Sequence, residues 1–212
     1  MAQISPEQFL HAYAKTWRAG ADRITLPLGP SDAWTSLMLN HNGFLWRVAE
    51  ELRKGDETFA YRRELYTVDA VILGGNDLFR TGLCYPSAVH VLIEHELGYY
   101  VEEEMWKLLH WRCPLKVLIT YDWPEDEKDK SATKRSWLHV KIEKLRCMRD
   151  EVEKFQGEEP RTSYLFLIGD RKSSNTPVCH WRYASSRNAF DVRPLLVSDL
   201  VTKADRPLAP SV

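Results

Sequence analysis

The 212-residue sequence predicts an α/β fold, with a mixed β-sheet covered by helices on both faces. Three observations carry this reading. Short apolar runs at Val68–Leu73, Val89–Ile93, Leu115–Tyr121 and Thr162–Ile168 have the length and composition of buried strands. Amphipathic stretches of helical period lie before and between them. The resulting order is helices, a strand pair, a strand, a helix, a strand, a long helix and a second strand pair.

Each element has a local cause. Ser5-Pro6-Glu7-Gln8 is a helix start in which Ser5 caps, Pro6 takes the first helical position and Gln8 completes a capping box. Phe9, Leu10, Tyr13 and Trp17 form the apolar stripe of that helix, and Gly20 ends it. Residues 22–31 contain two Pro-bounded breaks and read as extended chain or loop. Ser31-Asp32 caps a short helix through Leu39. After the Asn42-Gly43 turn a further helix runs to about Lys54 and stops at Gly55, with Phe44, Leu45, Val48 and Leu52 inward. At 100° per residue Glu51 falls on the border of this face and Glu50 nearly opposite.

From Phe59 to Leu73 the chain reads as two strands, Tyr61–Thr67 and Val68–Leu73, the second carrying Asp69. Gly74-Gly75-Asn76-Asp77 turns into a loop that ends near Pro86. Val89-His90-Val91-Leu92-Ile93-Glu94-His95-Glu96 is an apolar strand that finishes in acids. Val101–Leu109 is helical, and its Glu102, Glu103 and Glu104 suit the dipole of a first turn. Leu115–Tyr121 returns to strand, Pro124 stops it, and Glu125–Lys130 is a charged loop. A long helix is expected from about Lys134 to Lys154, then strands at Thr162–Ile168 and Val178–Tyr183.

Composition narrows the classes. Residues 1–202 read as one domain and 203–212, which contain prolines, as a flexible tail. A formal net charge of -1 supplies no general attraction to nucleic acid, so phosphate binding would need local basic patches. Cys84, Cys113, Cys147 and Cys179 form no Cys-x-x-Cys pair, which argues against zinc and for thiols in a reducing compartment. The first residues lack the apolar core of a signal peptide, and no run is long enough to span a bilayer. A cytoplasmic location without membrane contact is expected.

The chemistry lies in the strand acids. Side chains alternate along a strand, so Glu94 and Glu96 share one face and His95 takes the other. Burying neighbouring carboxylates costs several kcal/mol unless a cation or donor compensates. If the strand carrying Asp69 pairs with the one carrying Glu94, three acids converge on oxygen ligation suited to Mg²⁺ or Mn²⁺. Such a centre serves metal-assisted phosphoryl chemistry. A zinc His-Glu-x-x-His helix is excluded because Tyr99 stands where the second histidine is needed.

A helix with a glutamate, a strand with Asp69, then Ile93-Glu94-His95-Glu96, a helix and a strand resembles the PD-(D/E)xK nuclease superfamily over residues 43–123. The resemblance implies the restriction-endonuclease-like fold with an αβββαβ core. It implies a Mg²⁺-dependent nuclease hydrolysing phosphodiester bonds in DNA, in restriction, defence or repair, often as a homodimer. Asp69 and Glu94 would bind the metal, the main-chain carbonyl of His95 would complete the coordination, and Glu51 would assist from the preceding helix.

The chain departs from that pattern where Glu96 replaces the usual lysine and Val68 the usual proline. Glu96 is then expected as a general base or as ligand to a second cation. Lys107 points away from the buried face by helical angle and Lys116 sits at a strand start, so neither is expected to replace the lysine. Lys134, Lys141, Arg171, Lys172, Arg182 and Arg187 are candidates for nucleic-acid phosphates, a solvated helix face being the competing account. The rival to a nuclease is a catalytically inactive module of the same fold that binds nucleic acid or a protein partner.

Overall fold

The strand Leu115–Asp122 is buried at every position although it contains a lysine, a threonine and an aspartate. Only a strand with neighbours on both edges and helices on both faces has that pattern. Among the described residues it is the fourth of seven strands in a mixed sheet whose spatial order follows the sequence. The computed structural model describes residues 3–20, 31–55, 58–74, 88–98, 100–122, 138–156, 162–170 and 181–195. The strands are β1 (Phe59–Leu65), β2 (Val68–Gly74), β3 (Val89–His95), β4 (Leu115–Asp122), β5 (Ser163–Asp170), β6 (Trp181–Ser185) and β7 (Arg193–Pro194). The helices are α1 (Pro6–Gly20), α2 (Ser31–Leu39), α3 (Phe44–Arg53), α4 (Val101–His110) and α5 (Leu138–Gln156).

Adjacent strands are antiparallel from β1 to β3, parallel from β3 through β5, and antiparallel again to β7. The β3–β4 connection contains α4, as a parallel pair requires. Alternation then sorts side chains into two apolar layers. Ala70, Ile72, Val91, Ile93, Val117 and Ile119 pack with α1, α2 and α3. Val71, Leu73, Leu92, Leu118, Phe166 and Ile168 pack with α4 and α5.

The start of α1 has the expected reciprocal cap. Gln8 N–H donates to Ser5 Oγ at 3.2 Å, and Ser5 N–H donates to Gln8 Oε1 at 2.8 Å. The strand expected at Val178–Tyr183 is described from Trp181 and extends to Ser185, whose side chain caps a single 3-10 turn. The long helix continues to Gln156, and its expected beginning at Lys134 lies outside the described residues, as do Arg171, Lys172 and the tail 203–212. No helix among the described residues is long and apolar enough to cross a membrane.

Candidate metal centre

Antiparallel pairing of β2 with β3 reaches Ala70↔Ile93. Beyond it, carboxylates take over from the ladder. The Oδ2 of Asp69 accepts the His95 N–H at 2.8 Å, and the Asp69 N–H faces Glu94 Oε2 at 3.4 Å. Asp69 and Glu94 thus stand side by side on the α4–α5 face, as the strand register implies. Glu94 has no exposed surface, and its Oε1 has no hydrogen-bond partner.

The third acid comes from α4. One carboxylate oxygen from each of Asp69, Glu94 and Glu104 lies within 4.8 Å of the others. Lys107, one helical turn after Glu104, donates to Glu104 Oε2 at 2.5 Å and lies 3.8 Å from Glu94 Oε2. Three buried or half-buried carboxylates therefore face one ammonium.

The imbalance appears in the protonation of the group. Burial, then the charge of Asp69, then contact with Glu104 push the Glu94 carboxyl up to about 10. Burial also raises Asp69 above the usual carboxylate range, against the hydrogen bond from His95 N–H. For Lys107, burial works downward, but the bond to Glu104 and the charges of Glu94 and Asp69 outweigh it and hold the ammonium above its ordinary range. The cluster therefore favours the protonated form of Glu94 where no cation balances the acids.

Several expected site residues lie elsewhere. Glu96 follows the last residue of β3 and turns its Oε1 onto the N–H of Gly98, so its carboxylate ties down the turn and is not in the acid trio. Glu51 is on α3, across the sheet, with Lys15 and Lys54 each 2.6 Å from its carboxylate oxygens. Those lysines outweigh its burial and lower its pKa, so its charge is balanced within the chain and it stands apart from the acid trio. His95 directs its ring to the face opposite Glu94, where Nε2 meets Tyr121 OH at 2.9 Å, and burial lowers its pKa to about 4.

Glu104 and Lys107 are the residues that sequence reasoning missed. A helical wheel gives the direction of Cβ, whereas four flexible carbons let the Lys107 ammonium curl back to the strand ends. The acidic first turn of α4 also contains two uses. Glu102 pairs with Lys144 of α5, while Glu104 reaches the trio. The i, i+3 spacing of Glu104 and Lys107 was the available signal.

The candidate phosphate-binding residues that the structure describes, Lys141, Arg182 and Arg187, each have a partner within the chain. The buried Lys141 donates to the Tyr121 carbonyl at 3.2 Å. Arg182 pairs with Asp170 at 3.1 Å, and the exposed Arg187 with Glu7 at 3.1 Å. Lys134, Arg171 and Lys172 lie outside the described residues.

The donor set fits a hard divalent cation. All three side chains offer carboxylate oxygen and none is a thiol, and Glu94 Oε1, which has no hydrogen-bond partner, can become a ligand once the carboxyl gives up its proton. Comparisons with protein-family models, curated proteins and solved structures find no match to this chain.

Proposed function

We propose that this chain is a divalent-cation-dependent nuclease of the restriction-endonuclease-like fold that hydrolyses phosphodiester bonds in DNA. The observation that carries the reading is the unpartnered, fully buried Glu94 Oε1 beside Asp69 and Glu104, with Lys107 the one lysine opposite among the described residues. The order α3, β1, β2, β3, α4, β4 supports it as an αβββαβ core, with the acids at the carboxyl end of β3 where ligands of parallel strands gather.

Asp69, Glu94 and Glu104 would hold Mg²⁺ or Mn²⁺. The bound cation would supply Lewis acidity toward a scissile phosphate and its attacking water. Asp69 is oriented for that duty by the His95 N–H, which fixes one of its oxygens. Glu94 must surrender its proton to bind the ion, so affinity rises with pH. Lys107 fills the role expected of the lysine that the strand lacks: its ammonium can orient water and offset charge on the phosphate oxygens.

Incubation of supercoiled plasmid with the purified chain and Mg²⁺ or Mn²⁺ tests this directly. Nicking or linearisation should require the cation, stop with EDTA and disappear in Asp69→Ala. Cleavage that survives Asp69→Ala contradicts the assignment.

A non-cleaving module is the second reading, and a specific observation favours it. Lys141 donates to a carbonyl and Arg182 and Arg187 are ion-paired within the chain, which leaves these three less available to a DNA backbone. Metal binding without cleavage would select this reading. A salt titration of DNA binding then separates a nucleic-acid module, which loses affinity steeply, from a protein-binding one.

A further inference from the structure

The strand that ends in Glu94 is anchored from behind. Its next residue, His95, sends its ring into the α1–α3 layer, where three buried side chains form a directional chain. Trp34 Nε1 lies 2.7 Å from Tyr121 OH, and Tyr121 OH lies 2.9 Å from His95 Nε2. An indole N–H can only donate, so the tyrosine oxygen accepts from Trp34. His95 Nε2 is then the acceptor within reach of the tyrosine's own proton. The tautomer that gives the tyrosine proton an acceptor carries its own proton on Nδ1, a buried nitrogen with no hydrogen-bond partner.

Packing holds Tyr121 in place. Its ring lies among those of Trp34, His95 and Trp181, with centroids 5.9, 5.6 and 5.7 Å away. Its register partner on β5 is Gly169, where an added Cβ would stand 2.8 Å from the Tyr121 Cδ1 atom. The glycine leaves room for the ring, and any side chain there would displace it.

On the other face, the peptide N–H of the same His95 holds Asp69 Oδ2 at 2.8 Å. Pairing of β2 with β3 has already ended at Ala70↔Ile93, so the ladder to β2 no longer sets the orientation of this peptide. The attachment to β4 and the buried ring remain. We infer that Trp34 and Tyr121 are positioning residues for the candidate metal centre. By fixing the His95 ring they set the 94–95 peptide, and through it the placement of Asp69 relative to Glu94. This inference rests on the metal-binding reading above and extends it to residues across the sheet that touch no ligand.

The test is Mn²⁺ binding followed by electron paramagnetic resonance, with ¹⁵N NMR of the imidazole rings on the same full-length samples. Wild type should bind one Mn²⁺ and show His95 with its proton on Nδ1, and Glu94→Gln should abolish the site. Tyr121→Phe and His95→Leu should weaken Mn²⁺ binding about 10-fold, the lower end of what loss of a supporting hydrogen bond does at metal sites. His95→Gln should restore most of the loss, because its amide oxygen lies as many bonds from Cα as Nε2 and can accept the Tyr121 proton. A role in folding alone would not separate the leucine and glutamine variants in this way. Should Tyr121→Phe fail to fold, Gly169→Ala tilts the same ring while keeping every hydrogen-bonding atom, and it should also weaken Mn²⁺ binding. Wild-type affinity in these variants overturns the inference and leaves the metal centre standing. Absence of Mn²⁺ binding in wild type removes both.

Discussion

Glu51 lies on the α1–α3 side of the sheet with a lysine on each carboxylate oxygen, whereas Glu94 lies on the α4–α5 side beside two further carboxylates and one lysine. The first carboxyl is held below its usual range and the second is pushed up to about 10. Both are glutamates near the ends of regular elements, and both read from sequence as site acids. Charge balance separates them. An acid whose cations come from its own chain contributes to the fold, while an acid trio short of cations is suited to an ion from outside.

The most severe way to break the contrast is to remove a trio member. Asp69→Ala should lower plasmid cleavage by about 10³-fold, as expected when several kcal/mol of metal-derived transition-state stabilisation are lost. A gel assay at fixed Mg²⁺ measures it. Replacing Lys107 probes the same contrast from the other side. Lys107→Met should reduce cleavage about 10²-fold. Mn²⁺ affinity in this variant should be unchanged or tighter, because the ammonium competes with the metal for the same carboxylates. Weaker Mn²⁺ binding in Lys107→Met would contradict its assignment to catalysis.

A third expectation concerns pH. The folded carboxyl of Glu94 sits above its ordinary value of 4.5. Its contribution to stability is therefore complete below that value and is lost as pH rises toward about 10. The metal-free protein should lose roughly 10 °C in Tm between pH 5.5 and 8.5 from this group. Glu94→Gln should flatten the profile, and Mg²⁺ should restore more Tm at the alkaline end. Glu51 has the opposite sign: its stabilisation is present above the ordinary carboxylate range and fades as pH falls through its lowered pKa. The smallest effect follows from that. Both of its lysines are largely exposed, so Glu51→Gln should cost less than about 1 kcal/mol in denaturant unfolding and leave cleavage intact.

Much of the scaffold was legible because it rests on local rules. The Ser5–Gln8 cap, the apolar strands and the interposed α4 follow from residue type and period, and the strand alternation placed Glu94 opposite the His95 ring. Asp69 and Glu94 meet because sequential strands usually pair. The rest depends on tertiary placement. Glu51 lies apart from the trio, and helical period could not show this because it tells which face of α3 is buried but not against which side of the sheet. Glu96 is outside the trio because β3 ends one residue earlier, which frees its side chain to turn onto Gly98. Lys107 and Glu104 required knowing how far a helical side chain reaches around its own axis.

The most direct test of the central claim is calorimetric titration of the metal-free chain with Mg²⁺ at pH 8, in two buffers of different ionisation enthalpy. The account predicts one binding event that releases about one proton, and loss of that event in Glu94→Gln. A titration with no binding heat, or one that releases no proton and is unchanged by Glu94→Gln, would contradict it.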